Sequence, residues 1–208
     1  PWTLPANLAV CAGPDIDYVL AETSKGKLVF GAELTEKLTN LLDLGEVTIL
    51  SYYKGRDLEG MKYTHPLYNR VSPCILGDYV STSDGSGLVH IAPGHGEDDF
   101  LVGKAYGLEV LCPVDSKGYM MASSGRYEGM FYAVCNEEVI KDMEASGNLL
   151  KQIKINHSSP HDWRTKKPVI FRATPQWFAS IDPIKEELLD AIKNVERNPK
   201  WGDVRISN

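Results

Sequence analysis

One stretch of the sequence, residues 87–100, combines residue types that could do binding or acid–base chemistry. An apolar strand pattern leads into His90, a glycine-flanked turn follows, and the acidic start of a helix comes next. Neighbouring side chains on a helix point about 100° apart, so Asp98 and Asp99 cannot both face one pocket. We expect His90 and Asp99 to form a corner that could bind a small cationic group and position a water.

Other polar residues near this corner are expected to have no chemical role. His95 lies between two glycines and is interpreted as a turn residue, while Glu97 and Asp98 are interpreted as a solvated first helical turn. A small basic cluster beside Trp163 is interpreted as solvated surface, with contact to a phosphate as the alternative. That cluster consists of Arg164, Lys166 and Lys167.

Metal, nucleophile and redox chemistry lack their usual sequence signatures. The chain has no His-Glu-x-x-His, no Gly-x-Ser-x-Gly and no Cys-x-x-Cys motif. The four cysteines are widely spaced and are predicted to be reduced and buried, as in a cytosolic protein. They are Cys11, Cys74, Cys112 and Cys135.

The composition is that of a soluble globular protein. The chain has 208 residues, 43% of them hydrophobic and 24% charged, which is enough to bury a full core. A net charge of −6 argues against a protein that grips nucleic acid by itself, but not against a module to which a nucleic acid is delivered. No apolar run approaches the roughly 20 residues that a bilayer span needs, so no membrane association is expected.

Many short strands and about four helices are predicted, without a regular strand–helix alternation. This pattern favours an α+β fold with a mixed, largely antiparallel sheet or barrel-like core and about four peripheral helices. The predicted strands are 8–11, 15–23 and 28–30 as a hairpin, 46–53, 74–76, 78–80, 109–114, 149–155 and 169–172. The predicted helices are 31–44 capped by Gly45, about 97–106, 137–145 capped by Asn136, and one that starts at 182 and ends before 199.

Three stretches resemble one known family. Residues 1–7 (Pro-Trp-Thr-Leu-Pro-Ala-Asn), 87–100 and 163–178 are similar to the editing domain that is inserted into the catalytic domain of isoleucyl-tRNA synthetases, class I aminoacyl-tRNA synthetases. The resemblance covers essentially all 208 residues and implies one editing domain, 1–208, whose ends lead back to a catalytic domain. Residues 2–7 favour the isoleucyl member over the valyl and leucyl ones.

The resemblance implies an aminoacyl-tRNA deacylase that hydrolyses valine wrongly attached to tRNA(Ile), and also valyl-adenylate, in the cytoplasm. A pocket that accepts isoleucine rejects valine weakly, because one methylene is worth only about 1–3 kcal/mol, a limit for which isoleucyl-tRNA synthetases are themselves the standard illustration. A second pocket then sorts by size. The alternatives are a non-catalytic module that binds the tRNA acceptor end, and a metal-dependent hydrolase.

Site roles follow from the same resemblance. Asp99 is expected to anchor the α-ammonium group of the substrate, and His90 to line the side-chain pocket and exclude isoleucine. Trp2, Thr3 and Asn7 are expected to lie near the aminoacyl group. No metal or cofactor is implied in this domain, since the ATP of these enzymes is used by their catalytic domain, and the expected partners are the tRNA acceptor end, valine or valyl-adenylate, and the rest of the synthetase chain.

The chain departs from the family in two places. The threonine run of the family precedes its Pro-Trp pair, so a fragment that begins at Pro1 is expected to be impaired in catalysis. Some members have cysteines around the tryptophan that matches Trp163. Asp162 and Thr165 stand there instead, which removes the zinc ligands.

Overall fold

The computed structural model describes residues 1–154 and 158–195. The chain divides into two units, Pro1–Ala173 and Thr174–Asn208. Within the described residues, seven strands lie in the first unit, and three of the four α-helices lie there with them. The candidate site residues all belong to the first unit.

The strands form two sheets. A four-stranded sheet has the order β5-β6-β1-β7, in which β1 runs parallel to β6 and the other pairs are antiparallel. A three-stranded antiparallel sheet has the order β3-β2-β4, with a register shift between Leu20 and Ala21. The strands are β1 Ala9–Ala12, β2 Asp17–Thr23, β3 Gly26–Gly31, β4 Thr48–Lys54, β5 Lys62–Thr64, β6 Val71–Leu76 and β7 Leu88–Ile91.

Four α-helices accompany these sheets in the described part of the chain, which confirms the predicted α+β class with a mixed, largely antiparallel arrangement and about four helices. They are α1 Thr35–Leu42, α2 Glu97–Ala105, α3 Tyr132–Ala145 and α4 Lys185–Lys193. None of them is long and apolar enough to cross a bilayer. The last helix, α4, belongs to the second unit and follows a 3₁₀ turn that begins at Asp182, as predicted.

Each helix of the first unit packs on its own apolar cluster. Leu34 and Leu38 of the α1 region pack against Val19 and Phe30 of the three-stranded sheet. Val102 of α2 packs against one face of the four-stranded sheet. A third cluster forms around α3, and its buried members are Val114, Met120, Tyr127, Cys135 and Val139.

Several predicted strands do not form. Residues 78–80, 109–113, 149–154 and 169–172 have no strand conformation, and Ile155 lies outside the described residues. Val114 makes only an isolated bridge to Met120. The backbone of these segments is used in tertiary contacts instead: the Leu111 carbonyl lies against the Cα of Gly94, and the Val114 carbonyl accepts a 2.8 Å hydrogen bond from Arg172 Nε.

Two helix ends also differ from prediction. Asn136 is not an N-cap, because α3 begins five residues earlier in the chain than 137, after Phe131. Its side-chain Oδ1 accepts a 2.9 Å hydrogen bond from Trp2 N. The residue that ends α1 in the left-handed conformation is Asp43, with φ 54°, rather than Gly45. Asp is among the few residues that tolerate this region, and its side chain reaches Lys151 Nζ at 3.0 Å.

Candidate functional site

A short 3₁₀ turn, Leu4–Ala6, presents the N-terminal residues of the site. Two side chains from the connection between β5 and β6, an imidazole and a guanidinium, make hydrogen-bond contacts with backbone carbonyls of this turn and of the residue after it. His65 Nε2 lies 2.9 Å from Leu4 O, and Arg70 Nη2 donates to Asn7 O at 2.6 Å. His65 is 2% exposed, and burial lowers its pKa, so it holds the turn as a neutral ring. The turn is therefore fixed from outside its own sequence.

Asn7 connects this turn to the histidine of β7. It is 3% exposed, and its Nδ2 lies 2.9 Å from both Ala9 O and His90 Nδ1, while Tyr63 donates its hydroxyl proton to Oδ1. Because the amide donates to the imidazole, His90 accepts at Nδ1 and bears its proton on Nε2. Burial lowers the pKa of His90 to about 4, so the ring is neutral at pH 7.

His90 forms part of the wall of a cavity of about 250 Å³. Apart from this imidazole and one hydroxyl, the wall is made of aliphatic side chains, several of them from one face of α3. The lining residues are Pro1, Thr3, Leu4, His90, Val139, Ile140, Met143 and Leu149. Drug-sized ligands occupy pockets of roughly 300–1,000 Å³, so this one suits a small aliphatic group.

Asp99 lies apart from this cavity. Its Oδ2 accepts a 2.8 Å hydrogen bond from Ala92 N, and no hydrogen bond or ion pair joins it to His90 in the part of the chain that the structure describes. His90 pairs with Val10 across the sheet, whereas α2 packs on the other face through Val102. The predicted His90–Asp99 corner is therefore two separate features that share one strand-to-helix connection.

The carboxyl group of Asp99 is half-buried. Burial raises its pKa, and the hydrogen bond from Ala92 N opposes that effect. A Cβ at Gly96 would lie 3.1 Å from Asp99 Cγ, so a larger residue before the helix would press on the Asp99 carboxyl group. With Oδ2 bonded to the backbone, Oδ1 is the oxygen on which a ligand cation could be bound.

Trp2 packs beside the cavity rather than lining it. Its ring makes edge contacts with His95, at a centroid distance of 4.7 Å, and with Tyr132, at 5.3 Å. Its backbone N–H is held by Asn136. This packing places the next residue, Thr3, at the cavity wall, so the structure brings Thr3, Asn7 and His90 together and leaves Trp2 as a neighbour.

His95 has more contacts than the turn role predicted from the sequence. Its Nδ1 lies 3.0 Å from Phe171 O, and its buried Nε2 has no hydrogen-bond partner among the residues that the structure describes. Burial lowers its pKa. Ala173 N also donates to Gly94 O at 2.8 Å, so the glycine-flanked turn is where residues 171–173 dock.

Sequence reasoning missed Tyr63, Arg70 and the wall from α3. An apolar face of α3 is visible in the sequence, but such a face does not by itself distinguish a pocket wall from core packing. Tyr63 and Arg70 had no signal, because they lie about 60 residues from the turn that they hold. Among the described residues, no group of three or more His, Cys, Asp or Glu side chains is placed to hold a metal ion.

Comparison with known proteins places these features in context. The family model for tRNA synthetases class I (I, L, M and V) matches residues 25–208. The chain is 54% identical to the isoleucine--tRNA ligase of Acholeplasma laidlawii (strain PG-8A) over 208 residues, which are 100% of this chain and 23% of that protein. It is 50% identical to that of Geobacillus thermodenitrificans (strain NG80-2), again over the whole chain and 22% of the relative.

One solved structure shares the fold. GlLeuRS-CP1 superposes with a TM-score of 0.58 and 14% sequence identity, over 77% of this chain and 82% of that one. At that identity the match concerns architecture alone. The chain spans less than a quarter of the length of the two isoleucine--tRNA ligases described above.

Proposed function

Since the chain belongs to the class I tRNA synthetases (I, L, M and V), we propose that it is the editing domain, residues 1–208, of an isoleucine--tRNA ligase and hydrolyses valine from mischarged tRNA(Ile). Valyl-adenylate is a second substrate of the same pocket. In this proposal the chain is continuous with the rest of a cytoplasmic synthetase, which supplies the ATP-dependent chemistry and delivers the tRNA acceptor end.

The observation that carries this proposal is the cavity of about 250 Å³ beside His90. An aliphatic wall with one imidazole and one hydroxyl matches a branched aliphatic side chain attached to a polar backbone. Valine and isoleucine differ by one methylene, and a packed wall can reject the larger of the two by overpacking, which costs typically about 1–3 kcal/mol. A pocket for the smaller amino acid is what an editing reaction requires.

His90 acts in this proposal as a fixed, neutral wall. Asn7 holds its Nδ1, and the lowered pKa keeps the ring uncharged at pH 7. A neutral imidazole does not repel the α-ammonium group of an aminoacyl ester, and its Nε2–H can donate to an ester oxygen or to the attacking water.

Asp99 is proposed to bind the α-ammonium group through Oδ1. The α2 N-terminus and the Ala92 N–H both favour its ionised form, in opposition to the burial that raises its pKa. An aminoacyl ester is already activated, so positioning and charge placement suffice and no metal step is invoked.

The test uses the purified complete ligase that contains this segment. The substrate is valyl-tRNA(Ile). Asp99→Ala is expected to lower the deacylation rate by at least tenfold, while Asp98→Ala, an exposed neighbour in the same helical turn, is expected to leave it unchanged. Equal rates for the two variants would refute the ammonium role. Binding of valyl-tRNA without hydrolysis by the unaltered ligase would support the non-catalytic module, and inhibition by EDTA would support the metal-dependent hydrolase.

A further inference from the structure

The ring of His95 connects two parts of the chain that are far apart in sequence. Its Nδ1 lies 3.0 Å from Phe171 O, and the ring contacts the Trp2 ring edge-on, with 4.7 Å between the centroids. A carbonyl oxygen only accepts, so Nδ1 carries the proton and donates it to Phe171 O. One side chain thus contacts both a late segment of the chain and the turn that bears Thr3.

Residues 171–173, which we call the docked segment, have no regular secondary structure. Two backbone groups hold the segment to the glycine-flanked turn, since Phe171 O accepts from His95 and Ala173 N donates to Gly94 O at 2.8 Å. The Phe171 side chain is 65% exposed and contributes little to this docking. A segment with few buried apolar contacts opens more easily than a strand or helix, so it depends on these hydrogen bonds.

The imidazole of His95 has little support from its own stretch of chain. Its neighbours Gly94 and Gly96 have no side chains, and a Cβ at Gly94 would lie 2.2 Å from Leu111 O, which leaves no room for a larger residue. The orientation of the ring therefore depends on its two distant contacts, the carbonyl of the docked segment and the ring of Trp2.

The second ring nitrogen distinguishes this histidine from a plain aromatic residue. Nε2 is buried and has no hydrogen-bond partner within residues 1–154 and 158–195. Burial lowers the pKa of His95 and the charge of Arg172 adds to that effect, while the hydrogen bond to Phe171 O opposes it. A buried acceptor without a partner destabilises the fold, and a phenyl ring would avoid that loss. What the imidazole supplies in addition is the Nδ1–H donor for the docked segment.

Trp2 connects the imidazole to the wall of the small cavity. Its backbone N–H donates to Asn136 Oδ1 at 2.9 Å, and its ring rests against that of His95. The next residue, Thr3, supplies the one hydroxyl group of the cavity wall. A change in the tilt of the Trp2 ring would therefore shift the backbone that places this hydroxyl group.

We propose that His95 is a positioning residue, which transmits the docking of residues 171–173 through the Trp2 ring to Thr3. His95 does not line the cavity, so it acts on the substrate only through these neighbours. The effect on hydrolysis rests on the proposed function, whereas the chain of contacts does not. The cavity wall has its full geometry only while the docked segment is in place, and small displacements of positioning groups can cost large factors in rate.

Two substitutions in the complete ligase separate the two contacts. His95→Asn keeps an N–H donor near the position of Nδ1 but loses the ring, and His95→Phe keeps the ring but loses the donor. Each is expected to lower kcat for deacylation of valyl-tRNA(Ile) about tenfold with little change in KM, because the wall is displaced while the rest of the tRNA still binds. His161→Asn and His161→Phe are the matched controls, since His161 Nδ1 also lies 2.9 Å from a backbone carbonyl, but at an exposed site.

Hydrogen exchange of the same proteins, followed by mass spectrometry, needs no substrate. His95→Phe is expected to accelerate exchange several-fold in peptides that cover 169–176 and 1–8, because the undocked segment no longer fixes the ring against Trp2. His95→Asn is expected to accelerate it in 1–8 alone. The peptide that covers α1 is the internal control, since α1 packs on the three-stranded sheet.

A normal kcat in either His95 variant would overturn the proposal, because one of the two contacts would then be dispensable. Acceleration confined to 169–176 in His95→Phe would show that docking is not transmitted to Trp2, and equal acceleration in α1 would show general destabilisation instead of positioning. If the unaltered ligase releases no valine, the proposed function fails, and the exchange pattern alone decides whether His95 links the docked segment to the N-terminal turn.

Discussion

Replacing Ile140 by valine is expected to admit isoleucine to the cavity beside His90. Ile140 lies in the wall of this cavity of about 250 Å³, on a half-buried position of α3. The substitution removes one methylene from the wall, which is the same group by which isoleucine exceeds valine. We then expect the cavity to accommodate isoleucine without the overpacking by which the proposed function excludes it.

The magnitude follows from the two effects of that methylene. Relief of overpacking is worth about 1–3 kcal/mol, or roughly 5- to 150-fold in kcat/KM for isoleucyl-tRNA. Valine loses contact with one methylene, at about 0.8 kcal/mol, so its kcat/KM falls by about fourfold. Ile→Val at a core site costs about 0.5–1.5 kcal/mol of stability, and this half-buried site is expected at the low end.

The assay measures deacylation of valyl-tRNA(Ile) and isoleucyl-tRNA(Ile) by the complete ligase. Val134→Ala is the matched control, because Val134 lies on the same helix, is 57% exposed and does not line the cavity. The reasoning is refuted if Ile140→Val leaves the isoleucyl-tRNA rate unchanged, or if Val134→Ala raises it equally.

Three further predictions concern the residues that fix the pocket. His90→Ala is expected to permit hydrolysis of isoleucyl-tRNA, measured as release of labelled isoleucine, and unchanged discrimination would contradict the wall role of the imidazole. The pKa of His90 is lowered from 6.5 to about 4, so as the pH falls the unfolded chain takes up the proton before the folded protein does. The contribution of the neutral His90 to stability is therefore complete above about pH 6.5 and is lost as the pH falls toward 4. His90→Gln is expected to flatten the dependence of Tm on pH over that window. Arg70→Ala removes the hydrogen bonds to Pro5 O and Asn7 O. It is expected to lower the unfolding free energy by about 1.5–3 kcal/mol in denaturant titrations and to raise KM. An unchanged KM would contradict the role of Arg70 in positioning the N-terminal turn.

Local sequence signals predicted the elements that form locally. The hairpin of β2 and β3 and the helix α2 begin and end close to their predicted positions, because turn residues and capping residues act within a few positions. The strand predicted at 109–114 was wrong, because strand formation needs a partner. The Leu111 and Val114 carbonyls instead contact Gly94 and Arg172.

The start of α3 illustrates a second limit. Asn136 has the residue type of an N-cap, but α3 continues past it to Tyr132, and the amide oxygen binds Trp2 N across 134 residues of chain. A polar residue favoured at a helix end is equally able to make a tertiary hydrogen bond. Only the position of Trp2 decides between the two, and no local pattern encodes it.

The candidate site was predictable in its residues more than in its geometry. Family resemblance singled out Thr3, Asn7 and His90, which the structure places together, and it also singled out Asp99, which the structure places outside the cavity. The spacing of His90 and Asp99 in the sequence does not reveal where they lie. His90 projects from one face of the sheet, and the helix that bears Asp99 packs on the opposite face. The aliphatic wall was hidden for a simpler reason, since core and pocket positions of α3 share one apolar stripe.

The most direct test of the account compares the two esters on the same tRNA. The complete ligase that contains this segment is incubated separately with valyl-tRNA(Ile) and isoleucyl-tRNA(Ile), and release of each amino acid is followed over time. We predict that valine is released at least tenfold faster than isoleucine. Equal rates, or release of neither amino acid above the spontaneous rate, would contradict the proposal that this chain is a size-selective editing domain.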